Sequence, residues 1–322
     1  MSPVITRFVL TAAVIVAALL GGYVCRRLGW LSEKLGERLM TFVGVFGYSS
    51  VAFLSVWGTR LQAGDFLLPV LGAVHVVVMI ALSLGVGRWI TADRAEQGLF
   101  AIAGGTGNNG FTMGAFVLYL LCGEPGMGLS NLYILLFMPV AVLVMFPLAR
   151  HYASENPSGS LWGLMRRNLL DWRSIGLPMA VAGILLSVCR VPRPPQVASW
   201  RVLDLLVYTL TPVAFFAIGL RLRFSRVAPM LRLLVGLAAV RFALGLLVGL
   251  ALAALTQLTP WPFTGARRDV FIVQSFVPTS VTMVAIANMF GLRPAEASVL
   301  FVGNTVAYLV AVLPLVWLAY GR

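Results

Sequence analysis

Two apolar stretches contain residue types that a simple lipid-facing helix would not carry. Residues 98–121 read GLFAIAGGTGNNGFTMGAFVLYLL, with Gly104, Gly105, Gly107, Gly110 and Gly114 around the adjacent amides Asn108 and Asn109, and Thr112 close behind. Residues 270–290 read VFIVQSFVPTSVTMVAIANMF, where Gln274 precedes Pro278, and Thr279, Ser280 and Thr282 follow it. Glycine and proline weaken the helical ladder, and carbonyls and amides freed in hydrocarbon are costly unless protein or a wet cavity satisfies them. Helix breaks are therefore expected at Gly107, Gly110 and Pro278. Each break exposes a half-helix N-terminus, which carries partial positive charge and unpaired N–H groups. Two such termini suit an anion, for example a carboxylate, with neutral hydrogen bonds from Asn108, Asn109, Thr112, Gln274, Thr279 and Ser280. Close helix packing is the competing explanation for Gly104, Gly105, Gly114 and Thr282, because small residues let membrane helices approach. Two adjacent mid-span amides such as Asn108 and Asn109 need partners and favour a binding role.

Arg241, in LAAVRFALGLLVG, is the strongly charged side chain deep in a span. A central arginine costs roughly 2.5–3.5 kcal/mol on insertion scales, so it must face the protein interior, either to contact substrate or to anchor carbonyls. His75 lies mid-helix, where it is a candidate proton relay or a buried neutral hydrogen-bonding group. Asn304 and Thr305 read as contacts between helices. Asp204 and Glu296 sit near helix ends, so no carboxylate is central in any span, and HExxH, GxSxG and Walker A sequences are absent. The sequence holds no nucleophile–base pair, and no enzyme activity is expected. Carbonyls, amides and hydroxyls could still hold Na⁺ without a carboxylate.

The elements that must position these residues follow from composition. Of 322 residues, 60% are apolar and 11% charged, with a mean hydropathy of +0.93. Soluble domains carry roughly 25% charged residues, so a water-soluble globule is excluded. A bilayer core of about 30 Å needs roughly 20 apolar residues per helix. Ten segments approach that demand: 4–25, 39–57, 66–90, 98–121, 127–149, 175–190, 202–221, 230–256, 270–290 and 295–319. Residues 8–24 resemble a signal peptide, but no cleavage site follows and they read as the first membrane helix.

The net charge is +13, and its basic residues fall mostly between the apolar runs. There they read as topology signals and headgroup contacts rather than a nucleic-acid surface. Alternate loops collect fifteen Lys and Arg residues on one side and eight on the other. That asymmetry puts both termini outside and the loop 150–174 in the cytoplasm. Within this loop Leu161, Trp162, Met165, Leu169 and Trp172 can share one face of an amphipathic helix. Cys25, Cys122 and Cys189 have neither disulfide nor zinc spacing.

The loop divides the chain into residues 1–149 and 175–322, each with five spans. Val51-Ala52-Phe53 recurs as Val213-Ala214-Phe215, Thr112-Met113 as Thr282-Met283, and Pro147-Leu148 as Pro314-Leu315, at nearly constant offsets. A repeat of five spans must enter the membrane with opposite orientations in its two copies. Inverted repeats with interrupted helices in corresponding positions point to a secondary transporter with its site at the midplane.

At these residues the chain resembles the auxin efflux carrier family. Asn109-Gly110-Phe111-Thr112-Met113-Gly114 is similar to that family's helix 4 motif, and Phe276-Val277-Pro278 through Gly291 to its broken helix 9. PAEASVLFVGNTVAYLVAVLPL is similar to its helix 10. Phe216–Leu220, Val240-Arg241-Phe242 and the first loop, Gly22-Tyr23 to Ser32, extend the resemblance over nearly the whole chain. It implies an all-α fold of ten helices in two inverted five-helix repeats, with broken helices 4 and 9 crossing at Asn109 and Pro278. It also implies elevator-type transport of organic anions. The family's usual helix 4 prolines are replaced here by Asn108 and Phe116, so that break must rest on glycines.

The expectation is thus an integral protein of a bacterial inner membrane that carries a small organic anion. It contacts lipid but no nucleic acid and needs no metal or other cofactor. Na⁺ or H⁺ coupling and a homodimer stay open. The competing readings are a sodium-coupled symporter of bile-acid-symporter type and a non-transporting membrane sensor or assembly partner.

Overall fold

The computed structural model describes residues 3–153, 163, 175–221 and 228–320, and every regular element among them is helical. The chain runs through α1 (Pro3–Arg27), α2 (Glu33–Gly58), α3 (Leu67–Ile90), α4 (Arg94–Gly105), α5 (Gly114–Tyr133) and α6 (137–152). It continues through α7 (Gly176–Val188), α8 (Val202–Gly219), α9 (Ala228–Leu258), α10 (Gly265–Ser275), α11 (Val281–Phe290) and α12 (Pro294–Tyr320). The amphipathic helix expected in 150–174 falls mostly outside the described residues.

Among the described residues six helices are long and apolar enough to cross a membrane: Glu33–Gly58, Ala63–Ile90, Gly114–Tyr152, Val202–Gly219, Ala228–Leu258 and Pro294–Tyr320. The sequence expectation is ten spans, and these six helices meet this measure of length and composition. The stretches at 98–121 and 270–290 are each divided into two short helices, and Gly176–Val188 has only 13 residues. Gly123, at φ +67°, interrupts α5 just before Pro125, so the 114–122 arm ends where the next begins.

Small residues set the closest contacts. A Cβ on Gly22 of α1 would fall 2.1 Å from the Phe216 carbonyl oxygen, and one on Gly219 of α8 would fall 2.0 Å from that of Leu19. The α1 and α8 backbones therefore touch. Gly183 brings α7 against α2 in the same way, a Cβ there lying 2.8 Å from the Phe53 carbonyl oxygen. These four helices form one group, with α8 also against α2. In the second group α3 packs on α4, α5 and α9 on α10, α4 on α6, and both α9 and α11 on α12. The groups meet chiefly where α5 lies on α2, and there Asn131 Nδ2 donates to Ser55 Oγ at 2.9 Å.

The outer surface is oily. Leu205, Leu247, Leu315 and Leu318 are exposed on helix flanks, while Trp30, Trp89, Trp200 and Trp261 are exposed near helix ends. Tryptophan at both ends of apolar helices suits the two membrane–water interfaces.

Candidate functional site

Both interruptions exist, and they lie against each other. After α4 the chain leaves helical geometry at Thr106 (φ −92°, ψ 114°) and resumes it at Gly114; after α10 it is non-helical from Phe276 to Ser280. Gly107 and Thr279 form an isolated antiparallel bridge. Asn108 N–H donates to the Pro278 carbonyl at 2.7 Å, and Ser280 N–H to that of Thr106 at 3.1 Å. Each break thus supplies backbone partners for the other, which is how irregular backbone survives at membrane depth.

Side chains tighten the crossing. Asn109 Nδ2 donates to the Gln274 carbonyl at 2.7 Å and to Gln274 Oε1 at 2.8 Å, and Gln274 Nε2 returns a bond to the Asn109 carbonyl at 2.9 Å. Thr279 Oγ1 donates to the Ala103 carbonyl at 2.8 Å, and its N–H donates to Asn304 Oδ1 at 2.8 Å. Asn304, read from sequence as a contact between helices, is therefore part of the crossing. Thr106 Oγ1, which lies 3.3 Å from Thr279 Oγ1, is a member the sequence reading missed.

Beside the crossing is a cavity of about 630 Å³. Its polar wall is made by Gly107–Thr112 and by Ser280 and Thr282. The opposite wall is mostly apolar and includes Met40, Tyr48, Phe137, Met138 and Leu177. These residues escaped the sequence reading because nothing separates a cavity-facing Met or Leu from a packed one in an apolar helix. Tyr48 sits in a widened π turn of α2, Val43–Tyr48, a feature common at functional sites, yet its sequence gives no signal for the turn.

Of the residues singled out from sequence, Asn108, Asn109, Thr112 and Ser280 line the cavity. Asn108 Oδ1 accepts from Thr112 Oγ1 at 2.8 Å. Gln274, Pro278 and Thr279 hold the crossing without lining the cavity. Arg241 is not in the wall either. It is 1% exposed, and its guanidinium donates to the Val277 carbonyl at 2.7 and 3.0 Å and to the Gly104 carbonyl at 3.0 Å. His75 is buried away from the cavity, 3.4 Å from the Gly245 carbonyl oxygen and 3.5 Å from Tyr133 Oη.

One expectation needs correction. The first N–H groups of α5, and the N–H of the second residue of α11, are capped rather than bare. Gly114 and Ala115 donate to the Asn108 and Asn109 carbonyls at 2.9 and 3.1 Å, and Thr282 donates to Ser280 Oγ at 3.0 Å. The physical reason is that each break folds its own polar groups back over the helix start. Each helix still presents its positive pole. Among the described residues, Phe111, Thr112 and Val281 line the cavity, and their N–H groups have no backbone acceptor.

The cavity lies along the first halves of α2 and α7. Polar pairs bridge neighbouring helices away from the cavity. Arg193 pairs with Glu124 and donates to the Leu54 carbonyl at 3.1 Å, and Tyr119 of α5 donates to Asp204 of α8.

A family whose description is membrane transport protein, that of the auxin efflux carriers, matches residues 172–318. No curated protein matches the chain. The matched stretch contains the α10–α11 break, Arg241 and Asn304.

Proposed function

We propose, from the match of residues 172–318 to the auxin efflux carrier family of membrane transporters, that this chain is a secondary carrier of an organic anion. The observation that carries the reading is the paired break. The segment before α5 (Gly107–Thr112) and the start of α11 (Ser280–Thr282) line one cavity whose polar residues carry neutral amides and hydroxyls. Positive helix poles without a carboxylate beside them favour a negative guest. The apolar opposite wall suits a guest with a hydrophobic body, so the favoured substrate is a monocarboxylate with an aliphatic or aromatic tail.

The fold reading is ten spans in two inverted repeats. The contacts support it through an exchange of partners: α1 packs on α8 and α2 on α7, and these pairings interchange if spans 1 and 2 correspond to spans 6 and 7. The two breaks correspond under the same exchange. Division into two helix groups suits movement of the crossing relative to the α1, α2, α7 and α8 group. With the basic loops taken as cytoplasmic, the cavity lies on the inner side and the Arg193–Glu124 end is the closed outer side. The membrane is then a bacterial inner membrane, with both termini outside.

The test is uptake of radiolabelled octanoate, phenylacetate and malonate into proteoliposomes. The reading expects saturable uptake of at least one monocarboxylate, lost in Asn108→Ala and Asn109→Ala. Absence of saturable uptake across the panel, or unchanged flux in both variants, would refute it.

A further inference from the structure

A broken helix has four poles at its crossing with another, and their sum matters more than any one of them. At this crossing the starts of α5 and α11 contribute roughly half a positive charge each, and the ends of α4 and α10 roughly half a negative charge each. All four helices are long enough to carry a pole, at 10 to 12 residues when α5 is counted to Gly123. Left alone, the poles cancel, and the crossing would have no net preference for an anion.

Arg241 changes that sum. Its guanidinium reaches carbonyl oxygens where both first half-helices end, Gly104 in the last turn of α4 and Val277 two residues past α10, at 2.7–3.0 Å. These are the negative poles. No carboxylate pairs with Arg241 among the described residues. It stands directly behind the cavity wall, since a Cβ on Gly107 would lie 2.8 Å from its Nη2, while Gly107 itself lines the cavity.

We propose that Arg241 is the positioning residue that sets charge selectivity: by neutralising both negative helix poles it leaves the cavity net positive by about one charge, without touching the substrate. The inference rests on the carrier reading above and explains why anion binding needs no cationic side chain in the cavity. A unit charge some 8 Å away, at an effective dielectric of about 20, corresponds to roughly a tenfold or larger change in anion affinity.

The experiment compares equilibrium binding of phenylacetate and its neutral isostere phenylacetamide to purified wild-type protein, Arg241→Met and Arg241→Lys in lipid nanodiscs. The expected result is a roughly tenfold or greater loss of phenylacetate affinity in R241M, with phenylacetamide affinity changed less than twofold. R241K should keep the wild-type preference, and guanidinium chloride should restore it in R241M. Equal loss of both ligands would show a merely structural role and overturn the proposal, as would an unchanged preference in R241M. If R241M does not fold, R241K decides: a lysine variant that binds phenylacetamide normally but has lost the carboxylate preference overturns the proposal, and one that keeps it supports it. Wild-type protein that binds neither probe, nor octanoate nor malonate, removes the carrier reading itself, a result distinct from any of these.

Discussion

The clasp between Asn109 and Gln274 permits a worked prediction. Asn109→Leu removes the donor that both Gln274 acceptors use, at 2.7 and 2.8 Å. Gln274 is fully buried, so its Oε1 and its carbonyl oxygen are left without partners. An orphaned buried acceptor costs about 1–3 kcal/mol, which puts the substitution at about 3 kcal/mol. Gln274→Leu is milder. The Asn109 carbonyl still accepts from Ala115 N–H at 3.1 Å, and Asn109 Nδ2 still reaches the residue 274 carbonyl. Two bonds are lost without an orphan, at about 1 kcal/mol each. In the double variant no Oε1 remains to be orphaned, so its cost should stay near about 3 kcal/mol rather than the summed 5. Equilibrium unfolding in mixed detergent micelles, applied to the four proteins of this cycle, should give a coupling of about 2 kcal/mol. Additive effects, or a neutral Asn109→Leu, would show that the clasp does not hold the breaks together.

Other substitutions discriminate by geometry. Gly114→Ala would place its Cβ 2.2 Å from Gln274 Oε1, and Gly107→Ala would place one 2.5 Å from Asn109 Oδ1, whereas Gly110 has open space around it. Uptake should fall at least roughly tenfold in the first two and stay within about twofold in Gly110→Ala; equal effects at all three would remove the steric argument. Gly22→Ala and Gly219→Ala drive a Cβ into opposing backbone at 2.1 and 2.0 Å, so each should reduce the yield of folded, monodisperse protein on size-exclusion chromatography. The Asp93 carboxylate is held below its ordinary pKa, first by the Glu96 N–H at the start of α4 and also by the Arg293 guanidinium. A depressed carboxylate stabilises the fold above its unfolded pKa and loses that contribution as pH falls through the folded value. Thermal unfolding of Asp93→Asn should therefore show a shallower acid-side loss than wild type, by a small margin because the side chain is partly exposed to solvent; identical acid limbs would contradict this.

The positions of both breaks were legible in sequence because Gly, Pro and paired amides are costly in hydrocarbon wherever nothing satisfies them. Asn108, Asn109 and Ser280 followed from the same reasoning, and each lines the cavity. Their satisfaction was not legible. That Gly114 and Ala115 are capped by Asn108 and Asn109 depends on how the 106–113 segment folds back, which spacing does not encode. Arg241 could be assigned to the interior from its insertion cost, but not to the carbonyls of Gly104 and Val277, which lie 137 and 36 residues away in the chain. The apolar wall was invisible for a different reason: Met40, Phe137 and Leu177 are ordinary residues for a membrane helix, and only packing decides which face a cavity. Hydropathy reads 98–121 and 270–290 as continuous stretches because it averages across the interruptions that the backbone makes there.

Where the anion sits is the decisive observation. Once uptake selects a carboxylate, its brominated analogue can be soaked into crystals of the protein and the bromine located by anomalous scattering. A peak in the cavity walled by Tyr48, Phe137 and Leu177, with the carboxylate against Asn108, Thr112 and Ser280, is the predicted result. A bound analogue with its bromine anywhere else in the protein would contradict it.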